Sequence, residues 1–102
     1  MYGLIGKMFA AEGKRDELIE ILLAGTGEMP GCLSYVIAKD RSDKNAIWIT
    51  EVWRDQQSHR DSLSLPEVRD AITRAKPLIA GFSDSHVTEP LGGHGLPPAA
   101  LG

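Results

Sequence analysis

Apolar positions along the chain follow two rhythms. Residues 2–10, "YGLIGKMFA", alternate with a period of two and read as a strand thinned by Gly3 and Gly6. After Gly13 the period lengthens. Leu18, Ile19, Leu22 and Leu23 form the apolar stripe of a helix from Lys14 to about Thr26, with Asp16 and Glu17 in its first turn, where the helix dipole favours negative charge. Gly25 and Gly27 stop it, and Pro30–Gly31 marks a turn. Residues 32–40, "CLSYVIAKD", and 46–53, "AIWITEVW", return to the strand pattern. The short polar segment "RSDKN" between them predicts an antiparallel hairpin.

A second helical region runs from roughly Gln56 to Ala75 in two pieces. Within it Ser64 and Glu67 have capping-box spacing, Pro66 suits a first helical turn, and Leu65, Val68, Ile72 and Ala75 form the stripe. Pro77 ends this pattern and Gly81 resets the chain. Residues 82–90, "FSDSHVTEP", are polar enough to predict an edge strand. Residues 1–90 thus make one domain, and the Gly/Pro-rich segment 91–102 is a tail, disordered or draped over a partner.

The order β-α-β-β-α-β is that of the ferredoxin-like split unit, an α+β fold with an antiparallel sheet and both helices on one face. The strands are polar on neither face. Tyr2, Leu4 and Met8 alternate with Ile5 and Phe9, and Ile47 and Ile49 alternate with Trp48 and Val52. A sheet apolar on both faces in so small a chain calls for a partner sheet. The expectation is a homodimer packed sheet to sheet, an α/β barrel made by two chains.

Composition narrows the function classes. The chain has 102 residues, 42% hydrophobic and 25% charged, in the range of a soluble globular domain. A net charge of −3 and no basic cluster beyond Lys14–Arg15 argue against a nucleic-acid partner. No apolar run approaches the roughly 20 residues that span a bilayer, and no basic segment precedes an apolar one at the start, so a cytoplasmic protein without membrane attachment is expected. Cys32 is alone, which excludes an intrachain disulfide; a buried, unreactive thiol is its simplest role. Phosphate-binding and dinucleotide-binding glycine motifs, H-E-x-x-H and G-x-S-x-G are all missing. His59, His86 and His94 are not at ligand spacing to one another, so no metal is expected.

The chemistry concentrates in Thr50 to Ser62, "TEVWRDQQSHRDS", where an acid (Glu51), an indole (Trp53) and an imidazole (His59) fall within nine positions. Glu51 shares strand parity with Ile47, Ile49 and Trp53. A carboxylate on that apolar face must pair or have a raised pKa. It would orient His59, act as a base itself, or pair across the dimer with Arg54 or Arg60. Trp53 and Tyr35 are core residues or pocket walls.

The segments "YGLIGKMFAAEGKRDELIEIL", "MPGCLSYVIAKD", "IWITEVWRDQQSH" and "SLPEVRDAI…AKPLIAGF" resemble the antibiotic biosynthesis monooxygenase (ABM) family from about Tyr2 to Pro90. The most specific parts are P-G-C-x-x-Y (Pro30 to Tyr35) and E-x-W (Glu51 to Trp53). The resemblance implies a dimeric α/β barrel with a pocket between sheet and helices. It also implies oxidation of a quinol or polyphenolic aromatic by O₂ with no cofactor. Many members carry a helix histidine nine residues after the E-x-W tryptophan; that position is Ser62 here, and the histidine is one turn earlier at 59. The haem-degrading branch uses a first-strand Asn and a late-helix His, both absent, so haem binding is not carried over. Unassisted O₂ chemistry needs an apolar pocket, a base and dry walls. An imidazole, with an ordinary pKa of about 6.5, is the usual base. His59 is the first candidate, with Glu51 beside it. Trp53, Tyr35, Ser62 and His86 are the candidate substrate-binding residues. The alternatives are a non-catalytic dimeric barrel that binds a small ligand, or an isomerase-type reaction on the same fold.

Overall fold

A computed structural model describes residues 1–98. Strand β1 (Tyr2–Ala10) leads into helix α1 (Arg15–Gly25), the hairpin β2 (Cys32–Lys39) and β3 (Ala46–Trp53), helices α2 (Gln56–Ser62) and α3 (Pro66–Ala75), a 3-10 turn (Lys76–Leu78) and strand β4 (Ile79–Thr88). The four strands form one antiparallel sheet in the order β2-β3-β1-β4. This is the ferredoxin-like α+β fold. Residues 91–98 contain neither helix nor strand, and the last four residues of the expected tail, 99–102, lie outside the described residues.

The sheet register decides what faces what. Tyr2 pairs with Trp53, Leu4 with Glu51, Gly6 with Ile49 and Met8 with Ile47. On the other side of β3, Tyr35 pairs with Glu51 and Ile37 with Ile49. Directly paired residues share a face, so these side chains form one surface. The helices cover it: Met8, Ile47 and Ile49 cluster with Leu18, Ile21, Ala71 and Ala75. The opposite face carries Ile5, Phe9, Trp48, Val52 and Val36, away from the helix-packed core, and Pro90 just after β4 lies against its Gly3. Its Val36 is 51% exposed.

Several boundaries differ from the sequence expectation for identifiable reasons. β4 begins at Ile79 rather than Phe82, because Pro77 sits inside a three-residue turn that returns the chain to β1 at once. The Ala11 N–H donates to the Leu78 carbonyl at 2.8 Å, and Ile79 already pairs with Ala10. Gly81 therefore lies within the strand. The Ser64–Glu67 capping box does not form; Leu65 is the residue ahead of α3 and makes no side-chain cap. The buried face of α3 is Ala71 and Ala75, while Ile72 is 40% exposed. In α1, Ile21 is buried in place of Leu23, which is 56% exposed. Both shifts have one cause. α1 and α3 pack against each other as well as the sheet, so small residues are needed at their crossing. Gly25 faces Ala71 there, and a Cβ on Gly25 would overlap the Cβ of Ala71.

The β2–β3 turn is built by Asp40, whose Oδ1 accepts the N–H groups of Ser42 (2.7 Å) and Asp43 (2.9 Å). This is the usual way an aspartate stabilises a turn. Arg15 of α1 ties down the same turn by donating to the carbonyls of Asp40, Asp43 and Ala46. Among the described residues no helix is long and apolar enough to cross a membrane.

Candidate active site

The stretch from Glu51 to Ser62 spans the end of β3, a two-residue turn and all of α2. Asp55 starts the helix, its Oδ1 accepting the Ser58 N–H at 2.8 Å. The approach is tight. Gly31 has φ +81°, and a Cβ there would meet the Ser58 side chain. The Gly31 carbonyl accepts the Arg54 N–H at 2.8 Å. These contacts fold α2 back over the end of the sheet, which brings His59 above Glu51 and Trp53.

The Trp53 indole N–H donates to Glu51 Oε1 at 3.0 Å. The two residues are separated by one position on the strand, so both point to the helix-covered face. Trp53 is 1% exposed. Its ring meets the His59 imidazole edge to face, with centroids 5.4 Å apart, and the Tyr2 ring lies tilted to the imidazole with centroids 5.8 Å apart. His59 Nε2 is 3.9 Å from Glu51 Oε1. That is too far for a direct hydrogen bond but close enough for one oxygen atom of a ligand to contact both groups. Burial pushes the Glu51 carboxyl above its ordinary value, opposed by the Trp53 hydrogen bond and the nearby His59.

These groups open on a cavity of about 140 Å³, whose lining includes Tyr35, Glu51, Trp53, His59 and Ser62 together with Leu22, Val68 and Ala71. Ser62 is buried, and its hydroxyl donates to the His59 carbonyl at 2.6 Å. Its hydrogen is thereby used within the helix, and its oxygen can still accept. His59 and Ser62 line the same wall, as residues three apart on a helix do. Burial, followed by the charge of Glu51, drives the Tyr35 phenol upward, so it stays a neutral hydroxyl at any ordinary pH.

Five of the six sequence-nominated residues converge on this cavity. His86 does not: it pairs with Ile5 on the uncovered face and is exposed. The alternation of β4 is shifted by a bulge at Asp84, which has φ +43°. Within its own chain Glu51 meets Trp53 and His59, while Arg54 and Arg60 are exposed; the pairing of Glu51 with one of them across a dimer lies outside a single chain. Tyr2 was not anticipated as a site residue. Its parity with Leu4 and Met8 marks the buried face, but only the register with Trp53 brings it under His59. Cys32 is half-buried, and burial raises its thiol, which keeps it unreactive. Among the described residues, no three His, Cys, Asp or Glu side chains gather where they would hold a metal ion.

A profile of antibiotic biosynthesis monooxygenases matches residues 1–74. The structure of a Chloroflexus aurantiacus protein described as a candidate antibiotic biosynthesis monooxygenase is 59% identical, covers 94% of this chain and 98% of its own, and superposes with a TM-score of 0.92. The chain belongs to the antibiotic biosynthesis monooxygenase family. A second ABM candidate, from Deinococcus radiodurans, is 28% identical over 88% of this chain and 92% of its own, with a TM-score of 0.74. A third, from Nitrosomonas europaea, is 13% identical, covers 90% of this chain and all of its own, and has a TM-score of 0.81; at that identity it shows the shared ABM fold alone. No curated protein matches the chain.

Proposed function

We propose that this ABM protein is a cofactor-independent monooxygenase that oxidises a quinol or related phenolic aromatic with O₂. The single observation that carries the reading is the convergence of His59 and the indole-bound Glu51 on an apolar-walled cavity. A ring hydroxyl would sit between His59 Nε2 and Glu51 and lose its proton to this pair. The resulting phenolate is electron-rich enough to reduce O₂ by one electron. The ring radical and superoxide then combine to form a C–O bond, and loss of water leaves a carbonyl. For a hydroquinone the balance is hydroquinone plus O₂ giving hydroxyquinone plus water. One oxygen atom enters the ring, the other leaves as water, and all four electrons come from the substrate. The apolar walls keep competing water away from the radical pair.

The working unit is a homodimer joined through the uncovered sheet face. What supports this is the apolar content of that face, with Ile5, Phe9, Trp48, Val52 and Val36 on one unpartnered surface. Light scattering after gel filtration would give twice the chain mass, and Val36→Glu would shift it toward the monomer.

The test of activity is O₂ uptake by chelator-treated protein with methylhydroquinone and naphthohydroquinone. Uptake above the uncatalysed rate, lowered at least about 100-fold in kcat/KM by His59→Ala, supports the reading, in line with what a general base contributes. Uptake indistinguishable from background across a broad phenol panel would sink it.

A further inference from the structure

The cavity at His59 is small for a ligand site. At about 140 Å³ it matches the space that holds one benzene ring, and ligand pockets are commonly about 300 Å³ or more. It does not end there. Leu22, Tyr35 and Ile72 line both this cavity and a larger groove of about 590 Å³, which runs between the α3 end and the start of β4. A further hollow of about 340 Å³ along β1 and β4 joins the groove at Met8, Ile49 and Phe82 and reaches Glu51. Tyr35 borders all three.

These adjoining hollows differ in chemistry. The small end holds the Glu51 and His59 pair. The groove is walled by Met8, Leu22, Ile49, Ile72, Ile79 and Phe82, and its only polar side chains among the described residues are Tyr35 and Lys76. Phe82 is 71% and Ile72 40% exposed, so the groove is apolar surface without cover among the described residues. A fused polycycle bearing several hydroxyls would place those oxygens against walls with almost no partners, and burying a polar group unpaired is costly. A hydrocarbon chain has no such penalty there.

We infer that the substrate is a single-ring hydroquinone or phenol carrying an extended aliphatic chain, with the ring in the His59 cavity, one hydroxyl against His59 and Glu51, and the chain along the groove between α3 and β4. This rests on the proposed reading only for the ring's identity; the chain is assigned by the groove.

The test is anaerobic binding of methyl-, butyl-, hexyl- and octylhydroquinone, followed by calorimetry below their micellar concentrations. Each methylene fully buried tightens binding about four-fold, and partial cover by the open groove lowers this to about two-fold per methylene. Ala80→Trp and Phe82→Asp, both at exposed groove positions away from the His59 cavity, are expected to flatten that dependence and leave methylhydroquinone binding unchanged. Affinity independent of chain length, a chain dependence untouched by both variants, or tighter binding of trihydroxyanthracene than of octylhydroquinone would each overturn the inference. Because binding is read without oxygen, the two readings separate. Chain-dependent binding with no O₂ uptake defeats the monooxygenase reading alone. Turnover of short and long hydroquinones with equal KM defeats the chain assignment alone.

Discussion

Gly25→Ala sets two effects of opposite sign against each other. By helix propensity alone, alanine stabilises a helix interior by up to about 1 kcal/mol over glycine, and by less at a final turn such as this one. By packing, the new methyl would overlap the Ala71 Cβ, with the Glu67 carbonyl 3.5 Å away on the same side. Neither neighbour can turn aside, since alanine has no rotamers and the carbonyl belongs to α3. The helices must separate, and overpacking of this kind costs about 1–3 kcal/mol. Packing therefore wins by about 1–2 kcal/mol. In a domain of this size that lowers the melting temperature by roughly 4–16 °C, at about 4–8 °C per kcal/mol. Calorimetry on both proteins measures it. The double variant Gly25→Ala with Ala71→Gly should recover much of the loss, since the clash is pairwise. A melting temperature equal to or above wild type in Gly25→Ala, or no coupling in the double variant, would refute the close crossing of α1 and α3.

Other perturbations test the electrostatics. The Glu51 carboxyl is raised by burial, so its contribution to stability is present below the unfolded value of about 4.3 and lost as pH rises through the folded one. Glu51→Gln keeps an acceptor for the Trp53 indole. It should become more stable than wild type as pH rises from 4 toward 8, while losing activity; urea titrations giving a pH-independent difference would contradict this. Asp40 is the reverse case, held at about 2 by the Trp48 indole N–H, then by the backbone N–H groups of Asp43 and Ser42 and by Lys7. Its contribution is present above about 3.9 and lost as pH falls through about 2, so Asp40→Asn should be less stable at pH 7 and converge on wild type near pH 2. Gly31→Ala forces a side chain onto φ +81° and against Ser58. It should cost at least about 1 kcal/mol in denaturant titrations and lower activity too, because Ser58 adjoins His59.

The parts of the fold set by period and punctuation are legible in the sequence. Strand parity placed Glu51 with Ile49 and Trp53 on one face and Trp48 on the other, and the polar "RSDKN" segment marked the hairpin. What depends on contact between distant segments was not legible. The stripe read over α3, Leu65, Val68, Ile72 and Ala75, meets the buried face at Ala75; the other buried residue is Ala71, because a neighbouring helix rewards small residues that hydropathy ranks low. Tyr2 could be put on the right face but not beneath His59, since register is a property of the pairing rather than of either strand. His86 was nominated only as a histidine on the last strand; its face depends on the bulge at Asp84, which has no sequence mark beyond its tolerance of positive φ.

The E-x-W spacing joins the fold to the chemistry. Two residues apart on a strand, glutamate and tryptophan must face the same side, and the longer indole reaches back to the carboxylate. In a buried setting that one bond fixes the carboxylate's orientation and limits how far burial can neutralise it. Burial without the bond would favour a protonated acid unable to accept a proton; the bond with full solvation would leave a weak base. Trp53→Phe separates these. It keeps the ring against His59 and removes only the donor, which should raise the Glu51 pKa further and move the acid limb of the kcat/KM profile upward. If Glu51 instead serves only to pack Trp53, the profile stays in place and only stability falls.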